Sequence, residues 1–510
     1  MVRLATIFSP GAVLQRHQPI HVFGDCDQKV TVAFDGQSVE ALCENGRFCA
    51  VLPSHEAGEG FTLTVSDGEN TVQVENISVG EVFIAAGQSN MEMPLGVTDG
   101  AEDELAHCDN PQISFYSIPP RYVKDDPIDM FRFQYMDYGT PTWKVCTADS
   151  AKDFSAVGYY AAKRIQRVLG VPVGVIGCNW GCRKIESFIP PWAFDRENSL
   201  VEYKNNYESS LSQKSREEYD RGYAAFKAFL QDRIKEFRDP LAVSYGNATF
   251  ASLCFHNGWK NVKWPQGPYN ADRPGCVWNN MLEDTVPYSL RFVLWYQGEG
   301  APEGHYYEKY GVLVDSWREA FRQPDIAFYA IELAPYGEGT GKPSKEEDII
   351  WATIREEQRR ATLTYADCYL ITSMGLGDLN NIHPVHKREL GYRAARSVLY
   401  NTYHTGPKSE NPYAVSAAFE KDCVRVMFQH DENLVIIGSA MADLYVSADG
   451  ENFVPAEARV ENGQLVVWAD GVNNPCEIRY CQGVYYAGQN VFNSAALPAS
   501  PFYFKKSQVF

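Results

Sequence analysis

The chain has 510 residues, too many for one ordinary core, so two to four domains are expected. Asp and Glu outnumber Lys and Arg by 65 to 46, a net charge of −19, which argues against a nucleic-acid surface or an anionic membrane as the main partner. Hydrophobic residues make up 45% and aromatic ones 13%, enough for sizeable cores, yet no run approaches the ~18 apolar residues that a spanning helix needs.

The opening stretch, MVRLATIFSPGAVLQR, has too short an apolar run before Ser9-Pro10 to be a signal-peptide core. Thirteen cysteines are scattered without any C-x-x-C, so neither structural zinc nor another metal is expected. Free thiols without a visible export signal predict a reducing, cytoplasmic setting.

Residues 11 to about 80 alternate apolar and polar positions in short runs, Ile20 to Phe23, Lys29 to Phe34, Phe48 to Leu52 and Phe61 to Val65. Asp35-Gly36, Asn45-Gly46 and Asp67-Gly68 punctuate them, and such pairs are hairpin signals. Residues 1–80 therefore read as an all-β sandwich. From 81 to 410 the texture is α/β, with buried strands expected at Val82–Ala86, Val173–Gly177, Leu290–Tyr296, Ile326–Glu332 and Tyr369–Thr372. Helical segments such as Ala156–Leu169 and Leu313–Phe321 separate them, which implies a parallel sheet covered on both faces. A charged helical insertion over about 195–275 interrupts the pattern, ending in the aromatic, Gly-rich stretch HNGWKNVKWPQGPYNADRPG. Residues 411–510 return to short strands, Val424–Phe428, Leu434–Ile437, Ala442–Val446, Gln464–Trp468 and Ile478–Tyr480, as a C-terminal β domain.

Four polar islands follow strands of the α/β region: Gly87-Gln88-Ser89-Asn90, Asn179-Trp180-Gly181-Cys182-Arg183, Trp295-Tyr296-Gln297-Gly298-Glu299-Gly300, and the run from Gly377-Asp378 to His383-Pro384. In a parallel sheet the carboxyl ends of the strands share one edge, where clefts form. Acyl transfer needs a nucleophile, a base, an acid to orient the base, and donors for the oxyanion. Ser89 supplies the hydroxyl and His383 the imidazole, with Glu299 or Asp378 as the carboxylate. The backbone N–H groups of Ser89 and Gly181 and the side-chain amide of Gln297 are candidate oxyanion donors, with Gln88 grouped among the oxyanion and substrate-binding candidates. Arg183 could receive a substrate carboxylate, whereas Trp295 and Tyr296 close an apolar strand and read as core.

These blocks resemble the sialate O-acetylesterase family, a branch of the SGNH hydrolases. GQSNME at 87–92 is similar to its nucleophile block, NWGCRKIESF at 179–188 to its second block, VLWYQGEG at 293–300 to its Trp-Tyr-Gln-Gly-Glu block, and NIHPVHKRELGYR at 381–393 to its Asp-Ile-His-Pro block. AVLQRHQPIHVFG at 12–24, WNNM at 278–281, IREEQ at 354–358 and ALPASPF at 496–502 extend the likeness over nearly the whole chain. The resemblance implies a flavodoxin-like esterase core, no metal or other cofactor, and removal of O-acetyl groups from sugars. Two departures stand out. Cys182-Arg183 replace the usual Gly-Thr after Gly181; an N–H remains at Cys182, so an oxyanion hole can survive while the two side chains crowd or charge the rim. Asn381 and Asn380 stand where the family or its wider superfamily has Asp before the histidine, and an amide cannot stabilise an imidazolium as a carboxylate does. Glu299, Asp378 or a backbone carbonyl must then orient His383, and related esterases point to Glu299.

The expectation is a serine esterase acting on O-acetylated sialic acid or acetylated hemicellulose oligosaccharides through an acetyl-enzyme. The alternative is a carbohydrate-binding protein whose esterase has decayed. Neither nucleic acid nor membrane is an expected partner, and the oligomeric state is open, a homo-oligomer included.

Overall fold

A computed structural model of the chain describes residues 1–124, 141–243, 264–300, 304–337, 345–483 and 488–508, with backbone alone over 230–243, 345–349 and at 508. Two units are distinguished by their internal packing: Met1–Gly300 with Glu308–Phe328, and Ala301–Tyr307 with Tyr329–Phe510.

In the first unit the Asp-Gly and Asn-Gly pairs close hairpins. Strands Val30–Phe34 and Gln37–Ala41 pair antiparallel around Asp35 (φ 41°) and Gly36 (φ 75°), the positive-φ turn whose twist suits a hairpin. Val30, Val32 and Phe34 point inward while Thr31 and Ala33 are half-exposed, as the period-2 pattern requires. Asp67 Oδ1 accepts the Glu69 and Asn70 N–H groups at 3.0 and 2.6 Å, capping the turn between strands Gly58–Ser66 and Thr71–Gly87. Cys26 and Cys43 form a disulfide, so the expectation of free thiols fails at this pair. Their half-cystines are 17 residues apart, with no motif spacing to announce them.

Thr71–Gly87 is a single strand of 17 residues that does two jobs. Its first half pairs antiparallel with Gly58–Ser66, and its second half pairs parallel with Val173–Asn179 and Phe292–Tyr296. The expected boundary at residue 80 therefore falls inside a continuous strand. Val173–Asn179 also pairs parallel with Asn110–Ser117, which carries the antiparallel edge strand Trp143–Cys146. The sheet is thus mixed, where alternation of strands and helices predicts a parallel one; that pattern gives no sign of edge pairing. Helix Ala156–Leu169 forms as its sequence indicates: the Ser155 hydroxyl accepts the Gly158 N–H, and Gly170 ends it at φ 65°. The insertion is built of helices Asn198–Leu211 and Arg216–Val243, and residues 256–263 of the aromatic stretch after them lie outside the described residues.

In the second unit, helices Lys345–Thr364 and Lys387–Asn401 accompany strand Cys368–Ile371. The IREEQ motif has a structural role there. Arg355, 1% exposed, donates to the Leu333, Ala334 and Gly483 carbonyls, and Gln358 Oε1 accepts the Leu333 N–H at 3.1 Å. Beside it Glu332 accepts from the Thr372 hydroxyl at 2.9 Å, and burial pushes its carboxyl up to about 7 against the pull of Arg355. Beyond Asn401 come two four-stranded sheets with antiparallel pairing, Tyr413–Phe419 with Val424–Gln429, Gln464–Trp468 and Glu457–Glu461, and Val454–Pro455 with Leu444–Ser447, Glu477–Tyr480 and Phe502–Lys505. Val426, Leu465, Ile478 and Phe502 share one core between them, as in a sandwich. Residues 329–410 group with these strands, a division that strand–helix alternation does not reveal.

Lys309 Nζ and Glu186 Oε1 form an ion pair at 2.7 Å in the first unit, with side chains 5% and 2% exposed. Lys309→Met leaves a buried carboxylate without its cation, at a cost of about 3–5 kcal/mol. Chemical denaturation is expected to show a clearly lowered midpoint, largely recovered in Lys309→Met/Glu186→Leu.

Candidate active site

The site begins where strand Thr71–Gly87 stops. Gly87 has φ 145°, and a β-carbon there would lie 2.1 Å from the Tyr296 carbonyl oxygen. Only glycine permits that approach. The Gln88 N–H donates to the same Tyr296 oxygen at 3.1 Å, and the Trp180 N–H donates to the Gly87 oxygen at 3.0 Å. Ser89 then opens a single helical turn, Ser89–Glu92, and is 6% exposed. Among the three strands around it, counting Thr71–Gly87 first, Val173–Asn179 second and Phe292–Tyr296 third, the order is 2-1-3. The serine therefore stands at the carboxyl edge where the order reverses, the usual place for a ligand crevice.

The neighbouring blocks are tied to this turn by side chains. Asn90 Nδ2 donates to Glu299 Oε1 at 2.5 Å, so the acidic candidate of the Gln-Gly-Glu block is anchored to the residue after the serine. Gln88, 3% exposed, accepts from Gln297 Nε2 and from the Gly300 N–H, both at 3.2 Å. Gln297 Nε2 also donates to the Arg183 carbonyl at 3.1 Å. Both hydrogens of that amide are thus committed, which corrects the expectation of Gln297 as an oxyanion donor. Gln88 Oε1 thus ties the serine turn to the 297–300 loop.

Gly181 also departs from expectation. Its N–H donates to Glu92 Oε2 at 2.7 Å and is not available to an oxyanion. The next residue, Cys182, is exposed and left-handed at φ 61°. Its N–H makes no hydrogen bond among the described residues and is available as a donor. A left-handed φ favours glycine at this position. Arg183 reaches Asp272 at 2.8 Å, donates through Nε to the Gly181 carbonyl at 3.1 Å, and lies over the Trp180 ring at 5.0 Å. Its charge is paired within the protein, against the expectation of a waiting substrate carboxylate. Trp295 and Tyr296 are wholly buried, and Trp295 packs edge-on against Phe188 at 5.0 Å.

Glu92 is a functional candidate that the sequence reading passed over. It is 3% exposed, and burial pushes its carboxyl up to about 8, with the Gly181 N–H and Arg183 acting the other way. A carboxylate three residues after the serine, between Met91 and Met93, is the signal that could have revealed it.

His383 and Asp378 belong to the second unit. Asp378 Oδ1 accepts the Asn380 N–H at 2.8 Å, and Asn381 Oδ1 accepts the His383 N–H at 2.9 Å. Both are turn caps of the Asx type. Among the described residues no hydrogen bond joins Asp378 to His383. Asn serves as well as Asp for the cap at 381, which accounts for the missing carboxylate there. His383 is 4% exposed and is lowered to about 3, first by burial and then by the Lys387 ammonium. The imidazole is therefore neutral at neutral pH. His386 is exposed at the N-cap of helix Lys387–Asn401.

The left-handed backbone at Cys182 predicts an unusual stability pattern. Cys182→Gly removes a conformational cost of about 1 kcal/mol and is expected to hold or raise the melting temperature. Cys182→Val, β-branched at positive φ, is expected to lower it. Thermal unfolding of both variants checks the pair; a lower melting temperature for the glycine variant contradicts the reading.

No family model matches the chain. It is 20% identical to the sialate O-acetylesterase of Rattus norvegicus over 464 residues, 85% of this chain and 78% of that one. The sialate O-acetylesterase of Homo sapiens is also 20% identical over 464 residues, 85% of this chain and 76% of that one. The fold is similar to the crystal structure of a carbohydrate acetylesterase from Xanthomonas citri, with a TM-score of 0.77 and 24% identity, covering 99% of this chain and 100% of that one. The chain is thus similar over most of its length to the sialate O-acetylesterases, and it shares its fold almost end to end with a carbohydrate acetylesterase.

Proposed function

We propose that the protein is a carboxylic ester hydrolase that removes O-acetyl groups from carbohydrates, with Ser89 as nucleophile. Relatives named sialate O-acetylesterase support the reaction class. The observation that carries the residue assignment is the Asn90–Glu299 hydrogen bond of 2.5 Å, which anchors a carboxylate beside the serine turn at the edge where clefts form.

In the proposed reaction Ser89 Oγ attacks the acetyl carbonyl carbon while His383 takes its proton. Glu299 stabilises the resulting imidazolium. The Cys182 N–H donates to the oxygen that becomes negative, and the Ser89 N–H is its companion donor. Collapse of the tetrahedral intermediate expels the sugar hydroxyl, which takes the proton back from His383. Water, deprotonated by His383, then attacks the acetyl-enzyme and releases acetate. The acetylated sugar is an O-acetylated sialic acid or an acetylated hemicellulose oligosaccharide such as a xylo-oligosaccharide.

Acetate release from a panel of acetylated sialic acids, xylo-oligosaccharides and manno-oligosaccharides tests the reading and ranks the substrates. Ser89→Ala is expected to lower kcat by roughly 10⁶-fold, and His383→Ala to be comparable. Glu299→Gln is expected to lower it by roughly 10⁴-fold. Asp378→Asn keeps its turn cap and is expected to be far milder. The opposite ranking of Glu299 and Asp378 overturns the acid, and sugar binding without release of acetate from any substrate overturns the enzyme.

A further inference from the structure

We propose that Glu92 is a positioning residue: from the turn that bears Ser89 it clamps the Gly181 N–H, and so aims the following donor, the Cys182 N–H, at the oxyanion formed in ester cleavage. The inference rests on Ser89 being an esterase nucleophile.

The turn at 180–183 is tied at three points. The Trp180 N–H holds the Gly87 carbonyl at 3.0 Å, the Gly181 N–H holds Glu92 Oε2 at 2.7 Å, and Arg183 Nε closes on the Gly181 carbonyl at 3.1 Å. The first runs to the end of the strand that leads into the serine turn, and only the one from Glu92 comes from the turn itself. Glu92 lies three residues after Ser89 on one helical turn, so a single rigid element carries both the nucleophile and the clamp. Cys182, left-handed at φ 61°, follows directly. A left-handed residue in such a turn helps successive N–H groups converge on one side, as anion-binding loops do. A donor is effective only when held where the charge develops, about 3 Å from the forming oxyanion.

The choice of a carboxyl has a consequence. Buried, and raised to about 8, Glu92 is protonated at neutral pH and holds the turn without a charge. Above that pH it becomes an anion one peptide unit from the Cys182 donor, where it opposes the negative charge of the transition state. The sign is therefore a loss of kcat on the alkaline side. The charged groups that act nearby are Arg183, paired to Asp272, and Glu299. The Cys182 thiol belongs to the turn itself. The packed elements bring the Tyr159 and Tyr160 phenols of helix Ala156–Leu169, the Cys178 thiol of Val173–Asn179 and the Tyr296 phenol of Phe292–Tyr296. An amide at 92 removes the one titration at issue and leaves all of these in place.

The test is kcat and KM for p-nitrophenyl acetate with the full chain, from about pH 6 to about pH 9.5, in the wild type, Glu92→Gln and Glu92→Ala. The wild type is expected to lose kcat through a step near pH 8. Glu92→Gln, which keeps an acceptor for the Gly181 N–H, is expected to lack that step. Glu92→Ala is expected to lose roughly 10- to 100-fold in kcat with KM little changed, short of the ~1,000-fold at the upper end for losing a donor outright, and Gln to restore most of it. A Gln variant with the wild-type alkaline step, or an Ala variant with wild-type kcat, overturns the clamp while leaving the esterase reading intact. A wild type that releases no p-nitrophenol overturns the esterase reading and the clamp with it.

Discussion

The Tyr296 carbonyl occupies the space that any side chain at residue 87 would need. That contact fixes three things at once. It requires glycine at 87, it carries the pairing of strands Thr71–Gly87 and Phe292–Tyr296 to their last residues, and it forces the chain to leave the sheet immediately before Ser89. The serine is thus presented by a backbone junction that cannot relax without parting two buried strands. Everything else in the first unit's site is tethered to this junction: Gln88 to Gln297 and Gly300, Asn90 to Glu299, Glu92 to Gly181.

The tethers explain why a Gln-Ser-Asn-Met-Glu block has so many polar residues where a strand meets a helix. Gln88 and Asn90 bind the loop at 297–300, and Glu92 binds the loop at 181. Each is at most 3% exposed, so an unmade bond at any of them would leave a buried polar group unsatisfied. The block is therefore a connector as much as the carrier of the proposed nucleophile. The same logic runs through the second unit, where Arg355 and Gln358 of the IREEQ run hold the backbone at 331–334.

Much of this was legible in the sequence because strands and turns announce themselves locally. Asp35-Gly36 and Asp67-Gly68 gave hairpins, and Ser155 with Gly170 bounded a helix, since turn and cap chemistry depends on adjacent residues. The four strand-end islands were visible for the same reason. What sequence could not supply was which donor is already spent. Gly181 and Gln297 have the right groups for an oxyanion, but Glu92, Gln88 and the Arg183 carbonyl, distant in the chain, use them. Nor did spacing reveal the Cys26–Cys43 disulfide, or that Thr71–Gly87 runs unbroken through an apparent domain boundary. Long-range pairing, rather than local propensity, decided each of these.

The central claim is that the hydroxyl held at this junction forms the covalent intermediate. Reaction of the native protein with a radiolabelled organophosphate, followed by peptide mapping by mass spectrometry, addresses it directly. The account predicts a single labelled peptide with the phosphoryl group on Ser89, and esterase activity falling in step with labelling. Label on a different serine, or full turnover with Ser89 completely modified, would contradict it.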